Sequence, residues 1–267
     1  MASSFDVNTI VIGAGVIGLA VARTLAHRGA DVLVLDRASH VGTETSSRNS
    51  EVVHSGLYYS PGSRKARLCV TGRDMLYAYC EARSIPHRRI GKLIVATDQS
   101  ELAVLQQYVT TARANGVGSL HELTGQQARA REPELRCLGA LYSPNTGVVD
   151  SHALMMQLWS DLQNAGGDVV FCTDVIDIEA MADEGFAVSA SDGSTVRCTR
   201  VVNCAGLSAP HIARLLHTPG YDIPEPRYAR GHYFSLSGRA PFSQLIYPVA
   251  ERAGLGIHVT LDLAGCV

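Results

Sequence analysis

A glycine-rich turn between a short apolar strand and a helix restricts most strongly what this chain can fold into. Residues 9–12 are apolar and rich in β-branched side chains, and the pattern Gly-x-Gly-x-x-Gly follows at 13–18. Leucine and alanine then recur at helical spacing, and a second apolar run over 31–35 ends in Asp36. This order of elements predicts a strand, a turn, a helix and a strand that together bind a dinucleotide.

Each glycine of this pattern stands where a side chain would obstruct. We expect Gly13 to permit the sharp turn, Gly15 to let the backbone approach a pyrophosphate, and Gly18 to let the helix lie close to the sheet. The first helical residues, Val16 and Ile17, would offer free N–H groups and the positive end of the helix dipole to the phosphates.

The residues after the second strand complete the predicted cofactor site. Asp36 stands where a carboxylate accepts hydrogen bonds from ribose hydroxyls, and an acid there argues against the 2′-phosphate of NADP. The polar stretch 38–50 can line the pyrophosphate and the sugars, with a solvated loop as the alternative interpretation. The residues selected from this region are Arg37, Ser47, Arg48, Asn49 and Ser50.

Composition and charge argue against several classes of protein. The chain has 267 residues, 46% hydrophobic and 18% charged, which suits a globular protein of one or two domains. Its net charge of −2 comes from 23 basic and 25 acidic residues without a long run of one sign. This balance disfavours nucleic acid as a partner.

The longest apolar run, 10–22, is shorter than the ~20 residues that a membrane-spanning helix needs, and no basic segment precedes it. We therefore expect a cytoplasmic protein without a transmembrane segment, which would meet a membrane only peripherally, through a partner. The seven cysteines include no Cys-x-x-Cys pair, which favours free thiols in a reducing compartment. No His or Cys spacing predicts a metal site.

The alternation of strand and helix patterns predicts an α/β fold with two domains built from discontinuous segments. We expect a Rossmann-like dinucleotide-binding domain from 1–89 and 148–218. A smaller α+β substrate domain would take 90–147 and 219–267. The last segment alternates in polarity and predicts three antiparallel strands at 231–236, 245–249 and 255–261.

A second cofactor-type motif is the apolar strand that runs into small residues at 201–206, VVNCAG. With the N-terminal motif, it resembles the return strand of FAD-dependent oxidoreductases of the D-amino-acid-oxidase-like superfamily. The resemblance implies that FAD is the cofactor and that Ala205 and Gly206 pass close to it. It also implies that the backbone of Val175 meets the adenine.

Further stretches are similar to L-2-hydroxyglutarate dehydrogenases, and together they span most of the chain. They lie at 47–59 (SRNSEVVHSGLYY), 61–69, 91–96 (GKLIVA), 230–233, 245–248 and 256–260. This resemblance implies oxidation of L-2-hydroxyglutarate, a small 2-hydroxy acid, to 2-oxoglutarate with hydride transfer to FAD. A quinone, an electron carrier or oxygen would then take the electrons.

Members of that family continue beyond the point where this chain stops, and their last segment returns to the dinucleotide domain. We therefore expect the 267-residue chain on its own to bind FAD weakly, to oxidise the substrate negligibly and to aggregate.

The chemistry requires a base for the hydroxyl proton and cations or donors for the carboxylates. His54 is the first candidate for the base and His232 the second, although His54 could instead bind the flavin or the backbone. Arg230 is the candidate for a substrate carboxylate, with a surface arginine as the alternative. Tyr233, Tyr247 and His258 are candidate substrate-binding residues, with packing roles as the alternative.

Three other functions are compatible with parts of the sequence. An FAD-dependent amino-acid or amine oxidase would use the same cofactor motifs. A non-catalytic dinucleotide-binding fragment would explain the abrupt end of the chain. An NAD-dependent dehydrogenase would share the glycine motif but is disfavoured by the return strand at 201–206.

Overall fold

The computed structural model describes residues 5–182, 184–217, 221–249 and 256–267, and the chain divides into two compact units. Unit 1 is built from 1–49 and 151–231, and unit 2 from 50–150 and 232–267. The first predicted boundary, 89–90, is therefore forty residues too late. The predicted boundary at 218–219 lies outside the described residues, and the chain changes unit at 231–232.

The helices follow the expected order along the chain. Their bounds are α1 Val16–Ala26, α2 Arg64–Ala82, α3 Gln99–Ala114, α4 Gly125–Arg131, α5 Ser151–Asn164 and α6 Ala209–Leu215, with 3-10 turns at Thr45–Ser47 and Gly206–Ser208.

The strands contribute to three sheets. Their bounds are β1 Val7–Ile12, β2 Val32–Leu35, β3 Val52–Val53, β4 His87–Arg88, β5 Lys92–Ala96, β6 His121–Thr124, β7 Gly139–Ser143, β8 Gly147–Val149, β9 Asp168–Val170, β10 Val175–Ala180, β11 Phe186–Ala190, β12 Thr195–Asn203 and β13 Leu245–Pro248.

Unit 1 contains a six-stranded sheet in the order β10-β11-β12-β1-β2-β9. The four strands from β12 to β9 are parallel, and β10 and β11 form an antiparallel extension. The parallel part is the Rossmann-like arrangement that the glycine pattern predicts, because parallel strands need helical crossovers. One face of this sheet packs into an apolar core made of Ile10, Ile12, Leu35, Val175, Ile178, Val188, Cys198 and Ile212.

Helix α1 packs against α5 beside this sheet. Its buried residues, Leu19, Ala22 and Ala26, recur at helical spacing and form one face. On the partly buried side, Arg23 Nε donates to the carboxylate of the buried Asp161 over 2.9 Å. Gln157 donates to the other oxygen of Asp161 over 2.9 Å, so the carboxylate is held by both helices.

Unit 2 contains a four-stranded sheet, β13-β5-β7-β6, and a three-stranded sheet, β3-β8-β4. The second sheet explains the position of the domain boundary. Strands β3 and β4 both pair antiparallel with β8, which ties residues 52–53 and 87–88 to 147–149. The α/β fold with an antiparallel sheet in the second domain is confirmed, whereas segment 50–89 belongs to unit 2.

The C-terminal segment differs from the three antiparallel strands expected there. Residues 231–236 form no strand and are exposed, because no neighbouring strand pairs with their alternating pattern in the described structure. Leu245–Pro248 is a strand, but it pairs parallel with β5. Over 256–261 only Val259 forms a bridge, antiparallel to Ile246, and the predicted start at Leu255 lies outside the described residues.

Among the described residues, no helix is both long enough and apolar enough to cross a bilayer.

One hydrogen-bonded contact anchors the segment that leads into β13. Ser243 donates from its backbone N and from its hydroxyl to the carboxylate of Glu132, which is 2% exposed. We expect Ser243→Ala to lower the free energy of unfolding by about 1–2 kcal/mol, because a buried carboxylate loses a donor. Chemical denaturation measures the change. Ser235→Ala, at an exposed position, is the control and should change stability by less than about 0.5 kcal/mol. Equal effects at both positions would contradict the role of this contact.

Candidate functional site

The glycine turn of unit 1 is packed so tightly that it excludes side chains. Gly13 has φ +109°, and a Cβ there would lie 2.5 Å from the carbonyl oxygen of Cys204 and 3.3 Å from Cα of Ala205. A Cβ at Gly18 would collide with the carbonyl oxygen of Gly13. The first glycine motif and the return strand therefore meet backbone to backbone, as both motifs require.

Gly15, the second glycine of the pattern, faces a hydroxyl group rather than backbone. A Cβ at Gly15 would lie 2.9 Å from Oγ of Ser46, and the N–H of Val16 donates to the same Oγ over 3.0 Å. Ser46 thus accepts from one of the free N–H groups at the start of α1. The sequence interpretation placed Ser46 in the polar stretch but selected its neighbours. The sequence signal for Ser46 was the polar stretch as a whole. Several hydroxyl residues lie in it, and only tertiary contacts show which of them meets the start of α1.

Asp36 lies at the end of β2, where the sequence predicts a ribose-binding acid. Its two oxygens accept from the N–H of Ala14 over 2.6 Å and from the N–H of Ala38 over 2.8 Å. These bonds fix the carboxylate beside the glycine turn, and a carboxylate retains further lone pairs for ribose hydroxyls. The N–H of Thr173 donates to the Asp36 carbonyl over 2.9 Å, and this bond holds the segment that leads into Val175 beside the end of β2. Val175 itself is buried and pairs with Ala190.

The other cofactor candidates in unit 1 mostly build the loop. Arg37 binds Glu44 over 2.7 Å, and this carboxylate raises the pKa of the exposed guanidinium. The hydroxyl of Ser47 donates to the carbonyls of Thr43 and Glu44, and Asn49 donates to the carbonyl of Ser46. Arg48 is exposed.

The two remaining candidates, Gly206 and Ser50, lie next to this loop in space and in sequence, respectively. Gly206 has φ +54°, and a Cβ there would lie 3.5 Å from the Thr45 hydroxyl. Ser50 is the first residue of unit 2. The turn, the start of α1 and Asp36 together form a cradle that a Cβ would fill. Its free acceptors and helix N-terminus fit a dinucleotide.

Unit 2 holds a cluster of titratable and aromatic side chains that we call the Lys92 cluster: His54, Tyr58, Lys92, Tyr247 and His258. His54 follows β3, Lys92 opens β5 and Tyr247 belongs to β13, so sheet pairing brings distant parts of the chain together. Lys92 lies between Ser143 of β7 and Leu245 of β13 in the register of the sheet.

Lys92 is 0% exposed, and its Nζ has no hydrogen-bond partner among the described residues. The ammonium lies 4.7 Å from the ring centroid of Tyr58 and 4.6 Å from that of Tyr247. Two cation–π contacts contribute about 0.5–2 kcal/mol each, less than the several kcal/mol that burial of a charge costs. Accordingly, desolvation lowers the pKa of Lys92 to about 7.

Two histidines share this environment. The ring of His258 stacks on Tyr247 at a centroid distance of 4.4 Å, and its Nδ1 is also buried without a hydrogen-bond partner among the described residues. Desolvation, followed by the charges of Lys92, His258 and Lys65, lowers the pKa of His54 to about 4. His54 is therefore a neutral imidazole at pH 7 and can accept a proton. Burial also raises the pKa of Tyr58 and brings that of Tyr247 to about 12.

The structure groups some of the predicted substrate residues and not others. His54, Tyr247 and His258 belong to the Lys92 cluster, and Tyr233 is near enough to contribute to the raised pKa of Tyr247 although it is 65% exposed. Arg230 and His232 are exposed in a segment without helix or strand. Their predicted roles stay predictions.

Sequence reasoning did not select Lys92. Its signal was a lysine directly before the apolar run LIVA, in a chain where only Lys65 and Lys92 are lysines among 23 basic residues.

Comparison with known proteins places the chain. The profile of the family described as FAD dependent oxidoreductase, DAO, matches residues 8–267. The chain belongs to this family. FAD is the cofactor that the family description states, and the cradle of unit 1 fits the dinucleotide part of it.

Individual proteins that are similar to this chain include L-2-hydroxyglutarate dehydrogenases. The chain is 44% identical to the mitochondrial L-2-hydroxyglutarate dehydrogenase of Arabidopsis thaliana, over 98% of this chain and 61% of the relative. It is 35% identical to the human mitochondrial enzyme of that name, over 99% of this chain and 60% of the relative. The chain thus spans 61% and 60% of the lengths of these relatives.

Solved structures of the same fold include L-alpha-glycerophosphate oxidase from Mycoplasma pneumoniae with FAD bound. Its TM-score is 0.85 at 20% identity, over 97% of this chain and 69% of that one. Glycine oxidase from Geobacillus kaustophilus has a TM-score of 0.78 at 23% identity, over 98% of this chain and 70% of that one. At these identities the likeness establishes the fold alone.

The buried ammonium gives a prediction about stability. Lys92→Met should raise the free energy of unfolding at pH 7 by about 1–4 kcal/mol, because it removes an unpaired buried cation and keeps the volume. The unfolded lysine, with its ordinary pKa of 10.5, binds a proton that the native one releases above about 7. The wild-type chain therefore gains stability as pH rises from 7 to 10.5, and the advantage of the variant shrinks over that range.

Denaturant titrations at several pH values measure this difference. Lys65→Met removes the other lysine, which is exposed, and should change stability by less than about 0.5 kcal/mol. A Lys92→Met variant less stable than the wild type at pH 7 would contradict the prediction.

Proposed function

We propose that this chain is part of an FAD-dependent oxidoreductase that oxidises L-2-hydroxyglutarate to 2-oxoglutarate. The observation that carries the proposal is the half-buried, neutral His54 within a stretch similar to L-2-hydroxyglutarate dehydrogenases. The identity to dehydrogenases of that name from plant and human supports it.

The residues of unit 1 would hold the cofactor through its dinucleotide part. Gly13 and Gly18 let the turn pack against backbone, and the lack of a side chain at Gly15 would leave room for the pyrophosphate. The N–H of Ile17 would face its charge, as would that of Val16 if the pyrophosphate replaced its acceptor Ser46, and Asp36 would accept from a ribose. Bound FAD supplies the two-electron acceptor for a hydride.

His54 would act on the hydroxyl proton of the substrate. As the hydride leaves C2, the O–H bond breaks, its proton passes to the neutral imidazole, and the C–O bond becomes a carbonyl. An imidazole with a pKa of about 4 is a weak base. The negative charges of a bound dicarboxylate would offset the nearby cations and raise this pKa toward neutrality.

The acceptor of the electrons and the cellular location are further parts of the proposal. We retain a quinone, an electron carrier or oxygen as the acceptor class. The cytoplasmic location stays a prediction, since the plant and human relatives are named mitochondrial, whereas the name of the relative from Salmonella houtenae gives no compartment.

Cofactor binding can be tested at the glycine turn. Gly15→Val should abolish FAD binding, because a branched side chain would displace Ser46 and enter the space of the pyrophosphate. The flavin absorbance after reconstitution with FAD measures the stoichiometry. Gly72→Ala is the control, because Gly72 lies in α2 with no atom near its Cβ position. FAD bound by Gly15→Val at the wild-type ratio would refute the cradle.

The reaction can be tested by anaerobic reduction of bound flavin. In a version of the chain extended by the C-terminal segment of a family member, L-2-hydroxyglutarate should bleach the flavin absorbance, whereas glycine and L-amino acids should not. The reverse would favour an amino-acid oxidase. His54→Ala should slow this reduction by about 10²–10⁴-fold while FAD stays bound. A wild-type rate in this variant would remove His54 from the role of base. A chain that takes up FAD but is reduced by none of these compounds would favour the non-catalytic fragment.

A further inference from the structure

The use of lysine in this chain points to one position. Twenty-one of the 23 basic residues are arginine, and the two lysines occupy opposite environments. Lys65 is exposed on α2, where its Nζ lies 4.6 Å from the ring centroid of Tyr59. Lys92 is fully buried. A compact ammonium that can gain or lose its proton has thus been placed inside a protein that otherwise uses the permanently charged guanidinium.

The surroundings of Lys92 provide aromatic faces but no acceptor for its three N–H groups. Tyr58 and Tyr247 present their rings to the ammonium, and β5 places Lys92 on the same side of the sheet as Ile94 and Ala96. Cys69 is the one group that raises the pKa of Lys92, and burial raises the pKa of this thiol and so favours its uncharged form. Within the described residues, its Nζ is therefore a donor without an acceptor.

A second unpaired group lies in the same cluster. Nδ1 of His258 is buried without a hydrogen-bond partner in the described part of the chain, and its ring stacks on the same Tyr247 that contacts Lys92. Buried polar atoms are almost always hydrogen-bonded, so two orphans around one tyrosine indicate that a ligand supplies their partner. Both groups can donate a hydrogen bond, and both can carry a positive charge, so the partner that suits them is an anionic acceptor.

We infer that Lys92 and His258 form the binding site for one carboxylate of a dicarboxylic acid. This inference rests on the proposed function for the choice of acid, and it assigns the carboxylate site to residues other than Arg230. One ammonium and one imidazole nitrogen match the two oxygens of a carboxylate. A phosphate dianion would leave oxygens and charge unpaired in this apolar setting.

The site also couples binding to proton uptake. The groups that act on Lys92 or His54 are Tyr58, Lys65, Cys69, Tyr247 and His258. None of them is a carboxylate, so a bound carboxylate would be the first negative charge of this kind in the cluster. It would favour the protonated Lys92 and would raise the proton affinity of His54, which the cations around it lower.

Because the chain has two lysines, NMR can observe Lys92 directly. The 267-residue chain is labelled with [13Cε]lysine, and Lys92→Met and Lys65→Met assign the two resonances. Glutarate is the probe, because it has both carboxylates but no hydroxyl to oxidise. Glutarate should shift the Lys92 resonance and raise the midpoint of its pH titration above about 7, while Lys65 stays unchanged.

Calorimetry on the same samples provides the matched variants. Lys92→Met should weaken glutarate binding by at least about 30-fold, because the buried partner of a charge pair is lost. Lys65→Met should change the dissociation constant by less than about threefold, as expected for an exposed charge. Inorganic phosphate should leave the Lys92 resonance unmoved.

Three outcomes would overturn the inference: no shift of Lys92 with glutarate, an equal shift with phosphate, or unaltered glutarate affinity in Lys92→Met. The result is separable from the proposed function. Glutarate binding at Lys92 without flavin reduction by L-2-hydroxyglutarate would sink the proposed substrate and keep the carboxylate site. Flavin reduction without an effect of glutarate on Lys92 would do the opposite.

Discussion

The close approach of backbone to backbone at Gly13 is the constraint on which unit 1 depends. The turn after β1 touches the carbonyl of Cys204, and α1 begins so near to that turn that Gly18 also has no room for a side chain. The neighbouring elements β1 and α1 and the distant residue Cys204 after β12 thus converge on one point without side chains between them. At the same turn Asp36 accepts from the N–H of Ala14, and Ser46 accepts from the N–H of Val16 at the start of α1, so an acid and a helix N-terminus lie together where a sugar and a phosphate can bind. Packing and cofactor recognition are therefore one requirement at these positions.

Sequence reasoning was accurate where a feature is local. The glycine turn, α1 and β2 follow from spacing and apolar patterns, because these elements are fixed by neighbours along the chain. It failed where pairing over long distances decides. Residues 52–53 and 87–88 join β8, which no local signal reports, so segment 50–89 was assigned to the wrong domain. The alternating pattern at 231–236 predicts a strand, but a β-strand forms only where a neighbouring strand can pair with it.

Within the candidate site, the sequence led to residues whose side-chain chemistry suggests a role, and it missed residues whose importance depends on tertiary contacts. His54, Tyr247 and His258 were chosen as titratable or donor groups, and they do share one cluster. Lys92 was not selected because its strand is buried on both faces, so polarity does not alternate along it. In such a pattern a lysine at the first position looks like the polar end of the strand and not like a buried residue. Ser46 escaped because its stretch contains several hydroxyls, and only the N–H of Val16 distinguishes it.

Burial of the Lys92 cluster lowers the stability of the folded protein, and this loss of stability is informative about the role of the cluster. A lysine whose pKa falls from 10.5 to about 7 reduces the stability of the protonated native state by on the order of 5 kcal/mol. Two tyrosine faces return only part of this. A methionine of similar volume would pack in the same apolar surroundings without the loss, and natural proteins accept such losses mainly at functional sites. Nδ1 of His258 has no hydrogen-bond partner in the described part of the chain, and the basicity of His54 is weakened by burial and by nearby cations. A bound anion would offset all three effects. If the proposed dicarboxylate binds here, its negative charge would favour the cations that the apolar surroundings disfavour, and binding and activation of the proposed base would be a single electrostatic event.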